Sequence, residues 1–156
     1  MRINKNKLDW IQIDLTARCQ ASCIECSRNI DGKEINPYIG KSHSWDMPLD
    51  VFKKAVTPEM LSNNLQKILF NGNFGDPCIH PQFLEIIRYV VKHAHKNLAV
   101  RVATNGAMFN NEYWKEFAGI IWPLRYHRVI FAIDGLEDTH SIYRRGTKYQ
   151  NVIDHA

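Results

Sequence analysis

The feature that most constrains the fold is a unit that recurs from residue 66 onward. Three apolar runs, KILF (67–70), LAVRVA (98–103) and RVIFAI (128–133), each lead straight into a glycine-containing turn: NGNFGDP, TNG and DG. The turns begin near residues 71, 104 and 133, a spacing of about 30 residues, as expected of βα units with crossover helices. Between the runs, Phe83, Leu84, Ile87, Val90, Val91 and Ala94 fall on one broad helical face, and a shorter helix is expected over residues 111–118. Upstream, DWIQIDLT (9–16) alternates Ile11, Ile13 and Leu15 with polar positions, which reads as a first strand. Four parallel strands make an α/β fold whose sheet is open, because four strands cannot close a barrel. Proteins of this kind place ligands outside the carboxyl ends of the strands. An ordinary doubly wound domain, with glycines that only terminate strands, is the alternative on this pattern alone.

The rest of the chain is ordinary. Its 156 residues suffice for one domain with a real core, and 45% apolar and 23% charged residues are the proportions of a globular protein. No apolar run approaches the roughly 20 residues of a membrane span. The start, MRINKNKLDW, has no apolar stretch behind its basic residues, so a secretory leader is not expected and the cytoplasm is. A net charge of +4 spread over scattered Lys and Arg gives no stripe for nucleic acid. Residues 29–45 read as a long polar loop. Asp46 and Pro48 open a helix through Leu49, Phe52, Lys53 and Val56 that Pro58 ends, and a further helical piece carries Met60 and Leu61. A final helical segment opens near residues 147–151, and its last residues, NVIDHA, read as a helix cut in mid-course with no C-cap.

Chemistry concentrates in RCQASCIECSR (18–28), where Cys19, Cys23 and Cys26 stand in a Cys-x3-Cys-x2-Cys pattern just after the first strand. Three thiols cannot all pair with one another, and a reducing compartment disfavours a disulfide framework. Short spacings let three thiolates converge from one loop. The readings are zinc with His43 or Cys78 as fourth ligand, an electron-transfer cluster closed by Cys78, or a four-iron, four-sulfur cluster with one iron left open. An open position is how a metal site takes a substrate or cofactor directly.

CQASCIEC resembles the cluster-binding motif of the radical S-adenosylmethionine (SAM) enzymes. Three further segments carry the resemblance, in order and at βα spacing. GNFGDPCIHP (72–81) is similar to the glycine-rich segment after the family's second strand. VATNG (102–106) is similar to its third-strand end, and AIDGLEDTHSIYRRG (132–146) to its fourth-strand end with the following His and Tyr-Arg-Gly.

The resemblance implies a partial (βα) TIM-like barrel with about four of the usual six βα units. It implies a 4Fe-4S cluster on Cys19, Cys23 and Cys26, with SAM chelated to the free iron. It places SAM contacts at Asn73, Gly75, Asp76, Thr104, Asn105, Asp134 and Arg144, and no side chain as catalyst. Asp76 stands where Glu is usual in the family. Arg144, rather than Arg145, is the candidate for the SAM carboxylate, since a guanidinium offers a carboxylate two donors. Ala132 replaces a common hydroxyl or amide, and Glu25 a common aromatic that packs on adenine. Cys78 reads as a buried free thiol.

The implied reaction is reductive cleavage of SAM to a 5′-deoxyadenosyl radical that abstracts hydrogen from a small-molecule or peptide substrate. An external one-electron donor such as flavodoxin or ferredoxin is the implied partner. The family branch is the peptide- and cofactor-maturing one. A non-catalytic iron–sulfur or zinc protein, or an inactive fragment, is the other class. Residues 1–156 read as one C-terminally truncated core domain: a fragment, a minimal form, or part of a barrel completed by another chain. Such a truncation leaves an apolar sheet edge exposed.

Overall fold

The computed structural model describes residues 8–30, 33–34 and 46–156. Strand β1 (Trp10–Ile13) leads into the cysteine segment, and two short strands, β2 (Asn29–Ile30) and β3 (Lys33–Glu34), pair antiparallel beyond it. Helix α1 (Leu49–Ala55) and a single π-helical turn (Met60–Asn64) precede β4 (Lys67–Phe70). A 3-10 turn (Pro77–Ile79) leads to α2 (Phe83–His93), followed by β5 (Ala99–Thr104), α3 (Asn111–Ile121) and β6 (Tyr126–Phe131). The short α4 (His140–Tyr143) and α5 (Tyr149–His155) complete the described chain.

The main sheet has the order β1-β4-β5-β6, and all its pairings are parallel. It is the α/β architecture read from the sequence, a partial βα barrel.

Local chemistry explains most boundaries. The first strand is shorter than residues 9–16, because after Ile13 the chain turns away to carry the cysteines. The expected loop over 29–45 opens with the β2–β3 ribbon, and residues 31–32 and 35–45, His43 among them, lie outside the described residues. Val56 leaves α1 in an extended conformation, two residues ahead of Pro58, whose ring disfavours helix at the residue before it. Helix α3 runs three residues past the expected end at 118, and Asn110 caps its start by accepting from the Tyr113 N–H at 3.1 Å.

Helices α1, α2 and α3 pack on one face of the sheet. That face carries Ile11, Ile13, Ile68, Phe70, Val100, Val102, Val129 and Phe131, all part of the core or packed against it. A chain of rings crosses it, from Phe52 to Phe70 (6.1 Å), Phe83 (6.1 Å) and Phe117 (5.4 Å). Each buried aromatic of this kind contributes about 1.5–3 kcal/mol through area removed from water. On the other face Trp10, Gln12, Tyr126, Arg128 and Ile130 are exposed. No helix among the described residues is long and apolar enough to cross a membrane.

Candidate functional site

At the carboxyl ends of the strands the turns meet around a cavity of about 220 Å³. Cys19, Cys23 and Cys26 line it, together with Arg28, Gly72, Phe74, Gly75, Asp76, Ala103, Thr104, Asn105, Ala132 and Arg144. Four segments far apart in sequence therefore converge on one cavity.

The cysteine loop is held from below by a residue the motif reading did not single out. Arg28 is 4% exposed. Its guanidinium donates to the carbonyls of Ala17 (3.1 Å), Cys19 (3.3 Å) and Ala21 (3.1 Å), clamping the loop from the inside. The buried Nε has no partner among the described residues. Asn29 adds a bond from Nδ2 to the Cys23 carbonyl at 3.2 Å. From outside, the end of α4 and the residues just after it fasten the loop: the N–H groups of Ser22 and Ile24 donate to the carbonyls of Arg145 (2.7 Å) and Tyr143 (3.3 Å). Gly146, at φ 83°, sits so close that a Cβ would meet the Gln20 carbonyl oxygen at 2.8 Å.

The glycine-rich turn is sewn to the same loop. A Cβ on Gly75 would lie 2.2 Å from the Thr16 carbonyl oxygen and 2.8 Å from that of Arg18. The Asp76 N–H donates to the Arg18 carbonyl at 2.7 Å. The close approach that requires glycine is thus between two backbone segments. Asp76 itself is 4% exposed and turned inward. Its carboxylate accepts from Thr104 Oγ1 (2.9 Å to either oxygen) and from the N–H groups of Asn105 (2.7 Å) and Cys78 (3.0 Å). Burial pushes its carboxyl upward, and these donors oppose the shift. The side chain ties the second strand end to the third and leaves the backbone of 72–75 at the cavity.

Asn105 lies beside the thiols. It exchanges hydrogen bonds with Gln20 (2.6 and 3.3 Å), and its Nδ2 donates to Cys19 Sγ at 3.5 Å. Arg144 is paired with Asp134 and donates from Nη1 to Cys23 Sγ at 3.9 Å. Asp134 does not line the cavity; it holds the arginine that does. Asn73 also stands off the lining, donating to Asp14 Oδ2 (2.9 Å) and accepting from Asn71 (3.1 Å). Glu25 is exposed, and the aromatic ring at the cavity is Phe74.

Burial raises the Cys19 thiol to about 11 and raises Cys23, so both favour the protonated form until something replaces the proton. Cys78 is 2% exposed and lies in the core beyond the Asp76 turn, away from the three-cysteine cavity. Burial pushes its thiol well above the usual range. Among the described residues no group of three or more His, Cys, Asp or Glu side chains is placed to hold a metal ion.

Two histidines are fixed as neutral rings. His80 accepts the Gln82 N–H at Nδ1 (3.1 Å), so its Nε2–H faces the Met47 carbonyl (3.0 Å). His140 accepts the Asp134 N–H at Nδ1 (3.5 Å) and places Nε2 2.9 Å from Thr147 Oγ1. Thr147 in turn donates to the Arg144 carbonyl at 2.7 Å. His140 therefore braces the segment that presents Arg144.

No family model matches the chain. It is similar to the tungsten-containing aldehyde ferredoxin oxidoreductase cofactor-modifying protein of Pyrococcus furiosus, with 26% identity over 139 residues. The match covers 89% of this chain and 34% of that protein, so the chain spans about a third of the length of this curated relative.

Proposed function

We propose that the chain is a radical SAM enzyme, with a 4Fe-4S cluster on Cys19, Cys23 and Cys26, that acts in the maturation of an enzyme cofactor. The observation that carries the reading is the meeting of three thiols with three strand-end turns in one cavity of an all-parallel sheet. The relative's name adds the second half, because it describes modification of a cofactor.

The donor set fits a cluster. It consists of three soft thiols with no carboxylate aimed among them, and the fourth cysteine is buried elsewhere. A single zinc ion needs its sulfurs about 2.3 Å from one centre, whereas a cluster gives each thiolate its own iron and sets the sulfurs further apart. The three thiols line one cavity, which is the arrangement such a cluster needs.

When bound, the cluster and SAM supply a one-electron cleavage of the sulfonium that yields a 5′-deoxyadenosyl radical, with the electron drawn from an external donor such as flavodoxin or ferredoxin. The chain's own residues bind and orient. Arg28 holds the three-cysteine loop in shape and places a buried positive charge beside thiolates that carry negative charge. The Asn105 amide donates toward the Cys19 sulfur. Arg144, steadied by Asp134, offers its guanidinium to the SAM carboxylate, and the 72–75 backbone is the surface for the amino group. Phe74 offers the apolar surface for adenine in place of the exposed Glu25. Asp76 and Thr104 position these groups from within the fold.

Anaerobic loading of two single variants tests the ligand set. Cys23→Ala is expected to abolish the iron–sulfur absorbance, and Cys78→Ala to leave it intact. Loss of absorbance in the Cys78 variant would instead indicate a closed four-cysteine site and contradict the proposal.

A further inference from the structure

The open face of the sheet carries an arrangement that the cluster site does not use. Arg101 of β5 and Arg128 of β6 are in-register neighbours on adjacent parallel strands. Both project from the face opposite the helices, since Val100 and Val102 alternate with Arg101 into the core and Val129 packs against it. Among the described residues neither arginine has a hydrogen bond, an ion pair or a ring contact. The groups facing them in the same row are Gln12 of β1 and Leu69 of β4, neither of which is acidic. One row further from the cavity stands another cation, Lys67, over the Trp10 ring at 4.9 Å. Further along the face toward the cavity stands Asp14, whose Oδ2 accepts from Asn73 and whose buried Oδ1 has no partner among the described residues.

Like charges directly across a strand pair destabilise a sheet. A pair kept at that expense, without a carboxylate, is what a binding face for an anion requires. The position also matches the proposed chemistry. Ala103, two residues beyond Arg101 on the same face, lines the cysteine cavity, and two residues of strand span about 7 Å.

We infer that Arg101 and Arg128 form a phosphate-binding subsite, so that the substrate of the proposed reaction is a phosphate-bearing molecule. It lies along the open face with its reacting carbon toward the cysteine cavity. Guanidinium groups on strands about 4.8 Å apart can present two forks to one tetrahedral anion. A phosphate brings more charge and more acceptor oxygens to two forks than a carboxylate does. The inference about substrate rests on the radical SAM reading, while the anion subsite stands on the strand register alone.

The test needs no cluster. Thermal unfolding of the chain is followed at low ionic strength, with inorganic phosphate as probe and chloride or acetate at matched ionic strength as controls. Phosphate at ten times its dissociation constant is expected to raise the midpoint by roughly 3–5 °C. Arg101→Gln and Arg128→Gln are each expected to raise the anion-free midpoint, by relieving repulsion, and to lose more than half of the phosphate response. Arg125→Gln, a neighbouring exposed cation, should keep the full response. Equal effects of phosphate and chloride, an acetate effect as large as that of phosphate, or an undiminished response in both glutamine variants would each overturn the subsite. Phosphate binding in a chain that takes up no cluster would leave the subsite standing and overturn the radical SAM reading instead.

Discussion

On the helix side, β4 and β5 present Ile68, Phe70, Val100 and Val102, all fully buried. On the opposite side the same two strands present Lys67, Leu69, Ala99, Arg101 and Ala103, each only half-buried, and β6 adds exposed Tyr126, Arg128 and Ile130. Parallel sheets of doubly wound proteins are covered on both faces and read as near-continuous apolar runs. Here every second residue departs from that rule, and the departures fall on the face that leads to the cysteines. The helix side holds the packed core, and the open side leads to the cavity that the three cysteines line. That asymmetry separates a barrel-like sheet from the doubly wound alternative.

The division can be broken most forcefully on the covered side. Phe83→Ala removes the ring that joins Phe70 to Phe117 and is expected to cost about 3–5 kcal/mol in urea unfolding. Leu69→Ala, on the open face of β4, should cost well under half of that. Comparable losses would mean that the open face is packed too.

Arg28 sharpens the comparison, because it is buried yet holds the cysteine loop at the cavity. Arg28→Met strands the carbonyls of Ala17, Cys19 and Ala21 and should destabilise the chain by about 2–4 kcal/mol. It should also lower iron uptake more than Phe83→Ala does in whatever fraction remains folded. Arg28→Lys keeps the charge and one of the bonds, and should recover part of the uptake. A stable Arg28→Met protein with normal uptake would show that the loop holds its shape unaided.

The smallest expected effect is a pH dependence. Burial lowers the pKa of His80, and its Nδ1 is already occupied by the Gln82 N–H. The stability it contributes is present above the ordinary histidine value and is lost as pH falls through it toward the depressed folded-state value. The unfolding midpoint should therefore fall between about pH 7 and pH 5, and His80→Asn should flatten that slope. An unchanged slope would place the acid sensitivity elsewhere.

What the residues announced in advance was periodic or local. KILF, LAVRVA and RVIFAI stand out because each apolar run ends at a glycine turn, and that repetition determines a parallel sheet. The three cysteines stand out by their spacing. Arg28 did not, since arginines are usually exposed and nothing in Cys-Ser-Arg-Asn tells that its partners are three carbonyls up to eleven residues upstream. The inward turn of Asp76 was equally hidden: Gly-Asp-Pro looks like a surface turn until Thr104, 28 residues away, is known to stand beneath it. The β2–β3 ribbon and the four-residue α4 are too short to show a period. The pairing of Asp134 with Arg144 depends on how the chain folds back after β6, which no local pattern states.

The central claim is that three thiols at the strand ends hold a cluster with one open iron. Anaerobic reconstitution of the chain with iron and sulfide, followed by electron paramagnetic resonance of the reduced protein with and without SAM, tests it most directly. About four irons per chain are expected, with a signal that changes when SAM is added. Stable zinc with no iron, or a cluster signal indifferent to SAM, would contradict it.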